Sequence, residues 1–275
     1  MDKKYLCIGH VCMDAVEDGF VLGGTASYAA QLANTFGFQA SILTSYGEDF
    51  LFENEFKGIE ILNVFSENST VFKNIYTENG RTQSLLNRAN DLKKKHLFRS
   101  DFSAVHFCPI ADEVDFELIS NLKKENILTV ATPQGWMRQW DKEGKVFYKP
   151  MDWSKLSDVD FVIISEEDVP NLETEIESIV AEVSQLIVTR GEGAASFFSM
   201  GNETKFPAHK TVVKDATGAG DVFATAFTIC FLEMRDINQS MKFANYMASI
   251  CVAHNGLTFL KSIKNIDVKK VCENL

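Results

Sequence analysis

Short apolar runs rich in β-branched residues alternate along this chain with longer stretches of helical periodicity, and few architectures accept that order. Residues 5–9, 40–44, 104–108, 127–131, 160–164 and 186–189 read as strands; residues 26–36, 115–125, 174–183, 218–234, 238–254 and 267–273 read as helices. Strands that alternate with helices pair in parallel, because each helix carries the chain back across the sheet before the next strand begins. The expectation is a three-layer α/β/α fold around a mostly parallel sheet. At 275 residues the chain suits one domain spanning 1–275, since single cores stop growing at roughly 250–300 residues.

One segment interrupts the alternation. Residues 71–77 and 81–86 are short extended stretches joined by Glu78-Asn79-Gly80, and Asn-Gly favours a hairpin because both residues tolerate positive φ. Together with segments 15–22 and 59–65 it is expected to form a small β lid, roughly 15–22 and 59–87, standing over the carboxyl ends of the main strands. An ordinary edge hairpin is the other reading of the same residues.

The formal charge of −11 disfavours nucleic acid and anionic membrane surfaces as partners. The first residues run straight into a strand with no leader-like pattern, which points to a cytoplasmic protein. Cys7, Cys12, Cys108, Cys230, Cys251 and Cys272 are scattered through apolar runs without a C-x-x-C pair, so they read as reduced, buried thiols. Cys7, His10 and Cys12 lack the second cluster that a structural metal site requires.

The stretch Asp215-Ala216-Thr217-Gly218-Ala219-Gly220-Asp221 carries the most chemical information. Small residues directly before a long apolar helix let several backbone N–H groups converge on an anion without obstruction, and the helix dipole favours negative charge there. Asp221 sits in the first helical turn, where a carboxylate either caps the helix or takes a proton from a nearby hydroxyl. Pro133 to Arg138 follows a strand and so lies at a carboxyl end of the sheet, which makes Gln134 and Arg138 candidate substrate contacts.

The segment 215–221 resembles the C-terminal signature of the ribokinase-like, or phosphofructokinase-B, carbohydrate kinases. That resemblance implies that the amides of Gly218, Ala219 and Gly220 hold developing negative charge while Asp221 acts as base. It extends over roughly 5–256: Asp14 matches a carboxylate that bonds sugar hydroxyls, and Gly23-Gly24 matches the paired glycines of the first signature. Where an Asn often follows those glycines this chain has Tyr28, and with Gln134 and Arg138 that residue resembles a branch including inositol kinases. Leu186 to Gly193 resembles the nucleotide-phosphate loop, with Thr189, Gly191 and Gly193 matching and Arg190 adding charge. Asn245 resembles a position lining the adenine pocket. In place of an Asn-x-x-Glu segment the chain reads Ser165-Glu166-Glu167-Asp168, leaving Glu167 and Asp168 as candidates for water-mediated Mg²⁺ binding or as a solvated helix start.

What the resemblance implies is an ATP- and Mg²⁺-dependent kinase acting on a hydroxyl of a sugar or polyol, with a monovalent cation as a further candidate cofactor. A nucleoside kinase and a non-catalytic sugar- or nucleotide-binding regulator on the same scaffold are the rivals. No Gly-x-x-x-x-Gly-Lys loop is present, and 194–200 reads as extended, so neither a P-loop nor a dinucleotide-binding turn fits. The exposed lid edge leaves a monomer and a homodimer through the lid both open.

Overall fold

The computed structural model of the chain describes residues 3–77, 80–122, 127–264 and 266–275. The predicted turn residues Glu78 and Asn79 lie outside them, as does the end of the helix expected over 115–125. In chain order the strands and helices are β1 (Lys4–Ile8), β2 (Cys12–Val16), β3 (Gly19–Gly23), α1 (Thr25–Thr35), β4 (Gln39–Thr44), β5 (Glu60–Asn63), β6 (Thr70–Thr77) and β7 (Gly80–Asn87). They continue with β8 (Ala104–Phe107), α2 (Glu117–Leu122), β9 (Leu128–Ala131), β10 (Arg138–Trp140), β11 (Val146–Tyr148), β12 (Phe161–Ser165), α3 (Leu172–Glu182) and β13 (Leu186–Thr189). The last are β14 (Ala195–Ser199), β15 (Asn202–Phe206), α4 (Ala219–Met234), α5 (Ile237–Val252), α6 (Leu260–Ile263) and α7 (Val268–Cys272).

Nine strands form the central sheet in the order β15-β14-β13-β12-β9-β8-β1-β4-β5. The pairings from β5 across to β13 are parallel, and the β14–β15 hairpin completes the far edge in antiparallel fashion. Alternate residues of the inner strands enter different cores, as the pleat requires. Tyr5, Cys7, Val130, Phe161 and Ile187 pack with α1, α4 and α5, whereas Leu6, Ile8, Val162, Ile164 and Val188 pack with α2 and α3. Burial on both faces is why these strands read as nearly unbroken apolar runs. The three-layer expectation is therefore met, and β14 answers the extended reading of 194–200.

A separate four-stranded sheet, β3-β2-β6-β7, stands beside the main one. Its composition corrects one expectation: the segment 59–65 does not join it. β5 instead pairs in parallel with β4, Ile42 opposite Ile61, and closes the main sheet. Ile59 is buried and Ile61 packs against the α1 side of the core, a contact the small sheet does not offer. Val16, Phe20, Val21, Ile75 and Leu86 are exposed on the small sheet. Among the described residues no helix is long and apolar enough to cross a membrane.

Under α4 the core contains a polar line. The Tyr5 hydroxyl lies 3.2 Å from His106 Nδ1, and His106 Nε2 lies 3.0 Å from Thr132 Oγ1. Burial pulls the His106 pKa down to about 3 from its ordinary 6.5, so the folded ring is neutral. A depressed folded-state value means that this contribution to stability is complete above about pH 6.5 and is lost as the pH falls toward 3. Burial lowers His10 as well, so it acts in the same direction. Urea unfolding at pH 7, 6 and 5 is expected to lose up to about 1.4 kcal/mol per pH unit for each such histidine. His106→Gln should make that slope shallower, and an unchanged slope would remove His106 from the explanation.

Candidate active site

Chain entry into α1 explains the paired glycines. Gly24 caps the helix with φ 91°, a conformation that favours glycine, and its carbonyl accepts from the Ser27 amide at 3.0 Å. A β-carbon on Gly23 would fall 2.3 Å from Asp14 Oδ2, and one on Gly24 would fall 2.7 Å from the His10 carbonyl oxygen. The glycines thus admit the close approach of β2, which carries Asp14. From the other side, Asn74 Nδ2 on β6 donates to Asp14 Oδ1 at 3.1 Å, and Gln83 Nε2 on β7 donates to Asn74 Oδ1 at 2.8 Å. The small sheet therefore presents Asp14 with its carboxylate oriented by a directed hydrogen-bond chain.

The helix start at the second candidate centre is equally constrained. Gly218 caps α4 with φ 78°, and a β-carbon there would sit 2.2 Å from Tyr28 Cε1. The Tyr28 ring, only 4% exposed, packs against the glycine and joins α1 to the first turn of α4. A β-carbon on Gly220 would meet nothing within 4 Å, so the adjacent face of the turn is open. Asp215 braces the approach by accepting from the Thr217 amide at 2.9 Å and the Gly256 amide at 3.1 Å. Burial pushes its carboxyl up, but hydrogen bonding from the Thr217 side chain and from those two amides outweighs it and holds the value below the ordinary one.

Two side chains sense both centres at once. Burial raises the Tyr28 phenol, followed by the charges of Asp221, Cys251, Asp215 and Asp14. Cys12 is raised well above its ordinary value by burial and then Asp14, with Arg138 opposing and Glu113 and Asp221 adding to the rise. Asp14 and Asp221 thus act electrostatically on both Tyr28 and Cys12, and Arg138 acts on Cys12, although the three come from β2, α4 and β10. Arg138 donates from Nη1 to the Ile110 carbonyl at 2.9 Å and stacks over Phe72 at 5.5 Å. Phe72 lies opposite Asp14 in the β2–β6 register.

Other sequence-predicted residues lie elsewhere or are already engaged. Gln134 donates to Asp168 Oδ1 at 2.8 Å, and Asp168 Oδ2 accepts from the Ser165 amide at 2.8 Å. The two residues thus brace the turn after β12, and Glu167 is exposed on it. Among the described residues no three His, Cys, Asp or Glu side chains gather as a metal cluster. Thr189 ends β13 beside Ser165, and Gly191 and Gly193 form an exposed turn closed by a 2.7 Å bond from the Gly193 amide to the Arg190 carbonyl. Arg190 itself turns to Glu173 at 2.9 Å and Ser196 at 2.7 Å. It lines a groove of about 640 Å³ with Glu203 and Lys205, and that groove contains neither Asp14 nor Asp221. Asn245 is buried and donates at 3.2 Å to the carbonyls of Phe206 and Pro207, fastening α5 to the end of β15.

Sequence reasoning missed Asn74, Gln83 and Glu113. The first two alternate on hairpin strands like any solvated pair, and Glu113 sits in a short loop with no periodic signal; only folding gives them partners.

Gly218→Ala is expected to lower stability by about 2–4 kcal/mol, from the positive φ together with the collision on Tyr28. Gly220→Ala should leave stability within about 1 kcal/mol of the parent or raise it, because alanine is the better helix former. Urea denaturation of both variants checks the contrast, and equal destabilisation would contradict the open face at 220.

The family profile described as pfkB family carbohydrate kinase matches residues 3–264. Curated ribokinases from Bacillus subtilis (strain 168) and Lactococcus lactis subsp. lactis (strain IL1403) are each 31% identical, over 80 and 134 residues. Those matches span 29% and 44% of this chain but only 27% and 44% of the relatives. Among solved structures, a pyrophosphate-dependent kinase in the ribokinase family, complexed with a pyrophosphate analog and myo-inositol, superposes with a TM-score of 0.82 at 21% identity. That similarity covers 95% of this chain and 100% of the other. A nearly full-length match to the family profile, on a fold shared with ribokinase-family structures, shows that this chain belongs to the pfkB family of carbohydrate kinases.

Proposed function

We propose that this protein transfers a phosphoryl group to a hydroxyl of a sugar-like or polyol acceptor held beside Asp14. The observation that carries the reading is geometric: the Tyr28 ring packs on Gly218 at the start of the helix that bears Asp221, that start is open at Gly220, and Gly23, just before the helix that bears Tyr28, closes on Asp14. Asp221 takes the proton of the acceptor hydroxyl as its oxygen bonds to phosphorus, and the bond from phosphorus to the leaving phosphate oxygen breaks. Amides of the 218–220 turn and the dipole of α4 stabilise the charge that develops on the phosphoryl oxygens. Asp14, oriented by Asn74, accepts hydroxyl hydrogens of the acceptor. Its acceptor-only chemistry suits a polyhydroxylated ring, and the myo-inositol bound to the structurally similar pyrophosphate-dependent kinase supports an inositol-like acceptor.

ATP is the donor expected of the family resemblance, with Mg²⁺ neutralising its phosphates. Thr189, Gly191 and Gly193 would line the phosphate side, and the exposed Glu167 is the carboxylate proposed to reach the metal through water. A second reading, pyrophosphate as donor, is favoured by one feature. Arg190 and Asn245, the residues assigned to nucleotide phosphate and adenine, are both spent on partners within the protein. Neither reading needs a base-specific contact at the 218–220 turn, so the acceptor chemistry is the same for both.

Turnover measured with ATP and with pyrophosphate against a panel of sugars, inositols and nucleosides tests acceptor and donor together. Asp221→Asn should lower kcat by about 10³-fold or more with donor affinity nearly unchanged. Retention of full rate by that variant would remove Asp221 from the role of base. Transfer to no member of the panel by the parent protein would leave a binding protein on a kinase scaffold.

A further inference from the structure

The chain crosses between the central sheet and the small sheet four times: β1 into β2, β3 through Gly24 into α1, the entry into β6, and the exit from β7. The first and the last two meet at two buried side chains. His10, between β1 and β2, is fully buried. Its Nε2 lies 2.8 Å from the Asn90 carbonyl, which can only accept, so Nε2 carries the proton and Nδ1 accepts from Thr70 Oγ1 at 2.7 Å. Thr70 Oγ1 in turn accepts from the Ala89 amide at 3.0 Å. One neutral imidazole thus fastens the entry to β6 and the exit from β7.

Glu113 fastens the crossing from β1 into β2. It is 1% exposed, and its carboxylate accepts from the amides of His10 at 2.8 Å, Ile110 at 3.0 Å and Ala111 at 2.7 Å. Bonds to Ile110 and Ala111 alone would make it the cap of a local turn. The bond to His10, 103 residues away, makes it a joint between the β8–α2 loop and the root of β2. The preceding Asp112 holds φ 55°, a left-handed conformation sparsely populated outside glycine. It is held there by Lys149 on its side chain and Arg88 on its carbonyl. Arg88, just beyond β7, also donates to the Ala111 carbonyl at 2.7 Å, and Arg138 donates to Ile110. The loop that Glu113 organises therefore touches the root of Asp14's strand, the exit of the small sheet and Arg138.

We propose that Glu113 is a positioning residue: through the His10 amide and the 109–111 turn it sets the posture of the small sheet and so places Asp14 and Arg138 around the acceptor. Its role in acceptor binding rests on the kinase reading above; its role at the joint does not. The carboxylate never meets the acceptor, and the three amides it collects are what a charged acceptor holds better than a neutral one.

The test is Glu113→Gln, close in shape but with one oxygen replaced by a donor that faces backbone amides. Hydrogen exchange in the full chain should accelerate about tenfold or more at residues 10–16, 70–75 and 110–111, while strands β8 and β12 keep their rates. The acceptor KM should rise about tenfold with the donor KM within twofold. Uniform acceleration that includes β8 and β12, unchanged exchange, or a fall in kcat with both KM values unchanged would each overturn the proposal. If Glu113→Gln does not fold, Thr70→Val, which cuts the His10 side of the same joint, must loosen the same strands selectively or the proposal fails. If the parent protein phosphorylates nothing in the panel, the kinase reading fails and the exchange pattern alone decides the joint.

Discussion

The ring of Tyr28 packed against Gly218 is the contact that holds the two halves of the candidate site together. It fixes α1, which follows the paired glycines, against the first turn of α4, which presents Asp221. Because the glycine has positive φ and no room for a β-carbon, the contact admits one residue type on that side. Burial of the phenol near Asp221, Asp215 and Asp14 keeps it neutral, so the ring separates the acidic groups without adding a charge of its own.

Around this contact the protein distributes duties between rigid and attached parts. The parallel sheet, buried on both faces, fixes where β1, β8 and β9 end, and the loops from those ends carry the site. The small sheet is attached through the β3 entry into α1, through Met13 and Val71 in the main core, and through the directed hydrogen bonds of the His10 and Glu113 joint. Hydrogen bonds to a buried carboxylate suit such a joint. They are directional, and their loss leaves a charge that burial penalises.

The polar groups of the candidate site differ from the supporting ones in where their partners lie. Gln134 with Asp168, Arg190 with Glu173 and Ser196, and Asn245 with the end of β15 all have hydrogen-bond partners within the protein. They brace turns and strand ends of the central sheet. The residues around Tyr28 and Cys12 instead bring carboxylates and an arginine together from separate elements, an arrangement that packing alone does not require.

Much of this was legible in the residues. The apolar runs became the parallel strands because burial on both faces imposes the same pattern in any context, and the Gly-rich turn before α4 became an open helix start because glycine and backbone dipoles act locally. Asp14 and Asp221 were singled out as candidates from local motif and position. The fate of 59–65 was not, since an apolar extended stretch carries no mark of which sheet edge it will join. Nor was the pairing of Arg190 with Glu173 or the gathering of amides by Glu113, because a charged side chain's partner is chosen by distances between segments far apart in sequence. Sequence by itself determined the layers, the helix that presents Asp221 and the glycines that admit Asp14 and Tyr28, all consequences of short-range sterics and burial. Only the tertiary structure decided which polar groups are consumed in bracing turns and strand ends, because that depends on long-range geometry.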